Sequence, residues 1–126
     1  LKVVSAFDIG KVMNEMLLKG QAAGGVVQGV GTALSEVMIY NEQGKLLTRN
    51  LVDYKIPTMQ DIPQSIEVHF VETPQLDGPY GARGCGEHPM ISITSAIGNA
   101  IADATGVEIY DLPFSADKVY AALNKK

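Results

Sequence analysis

The side chains able to do chemistry gather in one stretch, Gly78-Pro79-Tyr80-Gly81-Ala82-Arg83-Gly84-Cys85-Gly86-Glu87-His88-Pro89. It holds the only cysteine and one of the two histidines of the chain, with Glu87 between them. Three chemistries are open to this set. Cys85 could act as a nucleophile with His88 as its base, although residues so close along an extended loop point in different directions. Cys85, Glu87 and His88 could ligate a metal, which would require a fourth group and a suitable turn. Glu87 could instead work alone as a general base, held beside a reactive group that comes from elsewhere. Against the last stands a plain alternative, because an acid at the start of a helix is favoured by the helix dipole alone. On the residues alone, that electrostatic account is sufficient. Arg83 could pair with Glu87, bind an anion or lie on the surface.

The segment that carries these residues is built to be rigid. It contains four of the thirteen glycines and two of the six prolines. Glycine admits positive φ and close approach of the backbone to another group, and the prolines punctuate the two ends.

The bulk composition narrows what the loop can serve. A length of 126 residues suits a single domain. Hydrophobic content of 46% with 19% charged residues fits a globular core. The net charge is −4, and no run of like charge exceeds Lys125-Lys126, so the basic stripe that nucleic acid would require is missing. No stretch approaches the twenty or so apolar residues of a membrane span. Leu1-Lys2-Val3-Val4 lacks the start of a secretory signal. A start at Leu1 inside an apolar run is compatible with a processed chain or a fragment. One cysteine excludes an internal disulfide framework and agrees with a reducing compartment, so the expected location is cytoplasmic. It also excludes a self-contained thiolate iron–sulfur site.

The elements that must position the loop follow in order. Val3 to Ile9, closed by Gly10, reads as a strand, with Asp8 as a turn residue. Lys11 to Lys19 reads as a helix stopped by Gly20. From Gly20 to Glu36, apolar residues recur at helical spacing while five glycines fall between positions 20 and 31. Each glycine costs up to about 1 kcal/mol in a helix, so close packing or a ligand against the glycine surface must offset it. The match to a dinucleotide-binding fingerprint is poor, because Leu34 stands where a third glycine is wanted. Val37–Tyr40 and Leu46–Leu47 predict a hairpin around Asn41-Glu42-Gln43-Gly44.

Ser65 to Thr73 alternates, which predicts a half-buried antiparallel strand with His69 on its outer face. Met90, Ile93, Ile97, Ile101 and Ala104 mark an amphipathic helix ending at Gly106. Ser115 and Asp117 open a last short helix with Val119, Tyr120 and Leu123 inward. The expected fold class is α+β: mostly antiparallel strands, a glycine-rich helix, a second amphipathic helix and a short C-terminal helix.

Several of these stretches, taken together and in order, resemble the C-terminal part of the large subunit of the molybdenum hydroxylases, the xanthine dehydrogenase and aldehyde oxidase family. They are Asp8-Ile9-Gly10-Lys11-Val12-Met13-Asn14, Gly20-Gln21 through Gly31, Asp53-Tyr54-Lys55-Ile56-Pro57-Thr58 and Gly78 through Glu87. Asn99-Ala100-Ile101-Ala102-Asp103-Ala104 and Leu112-Pro113 follow. The resemblance implies that residues 1–126 form a single C-terminal segment of a molybdopterin-binding domain. It implies a part of an oxidoreductase that hydroxylates a heteroaromatic or aldehyde carbon at a molybdenum centre, with Glu87 as general base. Gln21 and Gly86 would then lie against the molybdopterin cofactor, with no protein side chain assigned as a metal ligand. The implied partners are the remainder of the large subunit, iron–sulfur and flavin domains or subunits, and a small-molecule substrate, with no nucleic acid and no membrane. As an isolated chain it is expected to be inactive. Cys85 replaces the valine or isoleucine common in the family, which points to a small packing residue. Ala23 replaces an acid often found two residues after the glutamine, and Glu15 a frequent proline. The alternative is a binding or assembly module that keeps the fold without the chemistry.

Overall fold

The computed structural model describes residues 2–125; Leu1 and Lys126 lie outside the described residues. Strand β1 (Lys2–Asp8) pairs with β2 (Ser65–Val71), from Lys2 opposite Ser65 to Asp8 opposite Val71. The pair is parallel. This corrects the expectation of mostly antiparallel strands. Alternation along Ser65–Val71 reports that one face is buried, and it carries no information about strand direction. Parallel pairing needs a crossover, and helix α1 (Glu15–Leu34) with residues 35–64 supplies it. Phe7 and Phe70 share a register position, as do Val3 and Ile66, and all four contribute to the core.

Helix α1 starts at Asn14, whose Oδ1 accepts the Leu17 N–H at 3.0 Å, a side-chain cap of the usual kind. Glu15 and Lys19 pair at 2.7 Å across the first turn. The helix then runs through Gly20, the expected stop, to Leu34. The cost of glycine there is offset downstream, where Ala22, Val26, Val30 and Ala33 form a buried line. Ala22 packs with Phe7 and Ile9. Val26 and Val30 pack with Ile93 and with Val3 and Ile66 of the sheet.

Helix α2 (His88–Thr105) lies against α1 and ends at Gly106, whose φ is 71°. Two glycines of α1 permit the approach. A Cβ on Gly25 would stand 2.8 Å from the Pro89 Cβ, and one on Gly29 would stand 2.6 Å from the Ile93 Cβ. Gly31 is covered first by the Glu36 carboxylate and then by Pro57, whose Cδ stands 2.8 Å from the would-be Cβ. Gly20 and Gly24 face open space. The glycines of α1 therefore divide into packing positions and bare positions.

The predicted hairpin around residues 41–44 reduces to one antiparallel bridge between Tyr40 and Leu46. Asn41 Oδ1 closes the turn by accepting the Gln43 and Lys45 N–H groups. Met38, Ile39, Tyr40 and Leu47 are exposed, so no buried face extends the ladder. Helix α3 (Ala116–Leu123) forms after Ser115. Its predicted inward residues Tyr120 and Leu123 are exposed, and the Ser115 side chain makes no capping bond. The C-terminal segment is anchored one step earlier. Phe114 donates its N–H to the Ala33 carbonyl at 2.6 Å and sets its ring over Gly98. Among the described residues, no helix is long and apolar enough to cross a membrane.

Candidate active site

The glycine loop is tied to the end of β1 before it reaches its reactive residues. Asp8 Oδ1 accepts the Gly10 N–H at 3.1 Å and the Thr73 N–H at 3.2 Å. The Gly10 N–H above all, then Thr73 and the Arg83 guanidinium, hold the Asp8 carboxyl below the usual carboxylate range, against an opposing effect of burial that ranks second only to the Gly10 bond. Gly10 takes φ 63° and passes so close to the Gly81 carbonyl that no Cβ would fit. Lys11 and Gln75 both donate backbone N–H groups to Gly81 O, at 2.8 and 2.9 Å. Asp8 is thus the turn residue expected and also the post to which the loop is fastened.

Arg83 belongs to the same scaffold. Its N–H donates to Ile9 O at 2.9 Å, and its Nη2 donates to Thr73 O at 3.2 Å and lies 3.7 Å from Asp8 Oδ2. The cation is engaged with the base of the loop and does not pair with Glu87.

Cys85 packs against Phe7, Ile9 and Ala22, and burial pushes its thiol up. A protonated, packed thiol is a poor nucleophile. The His88 ring stands edge-on to Phe7, with centroids 5.4 Å apart, and its buried Nε2 has no hydrogen-bond partner among the described residues. No bond joins Cys85 to His88 among the described side chains. Nor does any set of three His, Cys, Asp or Glu side chains among the described residues converge on a common metal position. Two of the three chemistries open to the loop therefore lack their geometry.

Glu87 is placed differently. It precedes α2 with φ −92° and ψ −3°, and its side chain makes no capping bond to that helix. The carboxylate turns instead toward α1, where Gln28 Nε2 donates to Oε1 at 2.8 Å. One residue earlier, Gly86 O accepts a bond from Gln21 Nε2 at 3.0 Å. Gln21 and Gln28 are two helical turns apart and so share a face of α1. Gly24 lies between them, and both Gly24 and Gly86 face open space where a Cβ would point. The structure thus brings Gln21, Gly86 and Glu87 together at one edge of α1. Beside them opens a cleft of about 350 Å³ lined by Asn14, Leu17, Gln21, Arg83 and Cys85, among others. Gln28 is the member that sequence reasoning missed. The signal was its spacing of seven from Gln21, which the apolar periodicity of the same helix hid.

Residues 1–63 match the model of the molybdopterin cofactor-binding domain. Over 94% of its length the chain is 41% identical to a putative xanthine dehydrogenase molybdenum-binding subunit of Escherichia coli. It is similar in structure to quinoline 2-oxidoreductase of Pseudomonas putida, with a TM-score of 0.90 and 33% identity over 98% of the chain. It is also similar to the aldehyde oxidoreductase of Desulfovibrio desulfuricans, with a TM-score of 0.87 and 41% identity over 96%. The chain spans 16% of the length of the first of these proteins, 16% of the second and 13% of the third. Sequence and fold thus agree, and the chain belongs to the molybdopterin cofactor-binding domain family, among the xanthine dehydrogenase and aldehyde oxidoreductase molybdenum enzymes.

Proposed function

We propose that this chain is the C-terminal segment of the molybdopterin-binding domain of a hydroxylase acting on a heteroaromatic or aldehyde carbon, with Glu87 as its general base. The observation that carries the reading is the Glu87 carboxylate, which is withheld from the helix it precedes and held at 2.8 Å by Gln28. A helix-start acid serving electrostatics alone has no need of a side-chain donor on another helix.

The residues present fit one wall of a molybdopterin site. Gly24 and Gly86 offer bare backbone to open space, so a bulky group can approach without meeting a Cβ. Gln21 and Gln28 border that surface with neutral amides, and each bond uses only one of two N–H groups. When bound, the molybdenum cofactor supplies the oxygen-transfer and electron-accepting chemistry. This chain supplies position and a proton acceptor. Gln21 fixes the loop backbone through Gly86 O. Gln28 engages Oε1 of Glu87 and leaves Oε2 as the oxygen that takes the proton. The buried Pro89 and Cys85's apolar neighbours keep the loop seated on α1 and the sheet.

The rest of the large subunit would complete the site, with iron–sulfur and flavin domains or subunits as electron partners. The relatives named after xanthine, quinoline and aldehydes support the substrate class. The test is molybdenum and pterin analysis of the intact protein that contains this chain, with turnover measured on xanthine, benzaldehyde and quinoline. Stoichiometric molybdenum with oxidation of one of these is the expected result. An intact protein free of molybdenum and inert toward all three would instead support the non-catalytic module.

A further inference from the structure

We propose that Gln28 is the positioning residue for Glu87, and that the Gln21–Gln28 edge of α1 clamps the base at two points. The inference rests on reading Glu87 as the base and goes on to say what aims it.

Glu87 follows Gly84 and Gly86, neither of which has a neighbour within 4 Å of its would-be Cβ. Cys85 and Pro89 seat the backbone on either side, but the two glycines put no side chain around Glu87, so its carboxylate is aimed by partners on another element. Gln21 Nε2 takes the backbone at Gly86 O, at 3.0 Å, and Gln28 Nε2 takes the carboxylate at Oε1, at 2.8 Å. One bond sets where the residue stands, and the other sets which way its oxygens face.

The span of the clamp is set by helix packing. Pro89, two residues past Glu87, is buried against Gly25, one turn before Gln28. Any side chain at position 25 would push α2 outward and carry Glu87 away from Gln28. The bare packing position and the clamp are therefore parts of one device.

The choice of a neutral donor matters for a base. A cation against the carboxylate would favour its charged form strongly and weaken its hold on a proton. The nearby cations are engaged elsewhere: Arg83 with Thr73 O and Asp8, and Lys11 with Glu72 at 3.0 Å. A neutral amide orients Oε1 without setting a cation against it, and pre-aimed groups are what make proton transfer efficient.

The test uses the intact enzyme carrying Gln28→Met, a side chain of similar length without the donor. Rates are taken per bound molybdenum on whichever of xanthine, benzaldehyde and quinoline is oxidised. Loss of a bond to a charged group predicts a fall in kcat of roughly 10- to 100-fold, with KM within about twofold because substrate binding is not the function lost. A crystal structure of the variant is expected to show the Glu87 carboxylate displaced by about 1 Å or more, a shift sufficient to disturb transfer. An unmoved carboxylate overturns the proposal whether or not the variant retains cofactor, and so does an unchanged kcat. Glu87→Gln separates this from the reading beneath it. If that variant is inactive while Gln28→Met matches wild type, the clamp falls and the base stands. If Glu87→Gln is fully active, the base reading itself falls.

Discussion

Gly29 of α1 lies directly beneath Ile93 of α2, so close that a Cβ on the glycine would stand 2.6 Å from the Ile93 Cβ and 3.1 Å from the Met90 carbonyl oxygen. Neither neighbour is the free end of a flexible side chain, so the helices must separate to admit a methyl group. Gly29→Ala is therefore expected to destabilise the fold by about 1–3 kcal/mol, the range for overpacking. The gain in helix propensity, about 1 kcal/mol at most, offsets only part of this. Urea unfolding of both proteins measures the difference.

Gly24, on the same helix, predicts the opposite sign. Open space lies where its Cβ would point, so Gly24→Ala is expected to stabilise α1 by up to about 1 kcal/mol. The added methyl would also stand on the bare surface between Gln21 and Gln28. The expected outcome is a higher melting temperature together with a lower molybdenum content of the intact enzyme. Thermal unfolding and metal analysis on the same preparations check both halves.

Asp8 makes stability depend on pH in a defined direction. Its carboxyl is held below its ordinary value, first by the Gly10 N–H and then by Thr73 and Arg83. A folded-state value below the unfolded one means stability that is present above the unfolded pKa of about 3.9 and lost as pH falls through the folded value. Asp8→Asn should lower the melting temperature by a constant amount from pH 7 to about pH 5. The gap to wild type should close on further acidification, where both proteins lack the charge. Melting curves across that range decide it.

Much of this arrangement was legible in the residues. Gly106 ends α2 as its spacing indicated, and the alternation of Ile66, Val68 and Phe70 marked the inward face of β2. The strand direction was not legible, because a two-residue period is the same for parallel and antiparallel pairs. Gly20 failed as a stop because burial of Ala22 and Val26 outweighs a local propensity of about 1 kcal/mol. Tyr120 and Leu123 followed a helical period and still lie exposed, since periodicity identifies a face without naming what covers it. At the site, Gln21, Gly86 and Glu87 were singled out through resemblance to a family. Gln28 escaped because its partner lies 59 residues away, and only the packing of Gly25 on Pro89 brings the two within bonding distance. Asp8 was recognised as a turn residue, but its bond to Thr73, 65 residues further on, is a tertiary fact.

The most direct test of the account is kcat/KM of the intact enzyme carrying Glu87→Gln, normalised to bound molybdenum. The amide keeps the shape of the side chain and removes its capacity to take a proton. A general base contributes roughly 10²- to 10⁴-fold, so a loss of at least that order with full cofactor occupancy is the result predicted. A variant that retains its molybdenum and turns over at the wild-type rate would contradict Glu87 as the base.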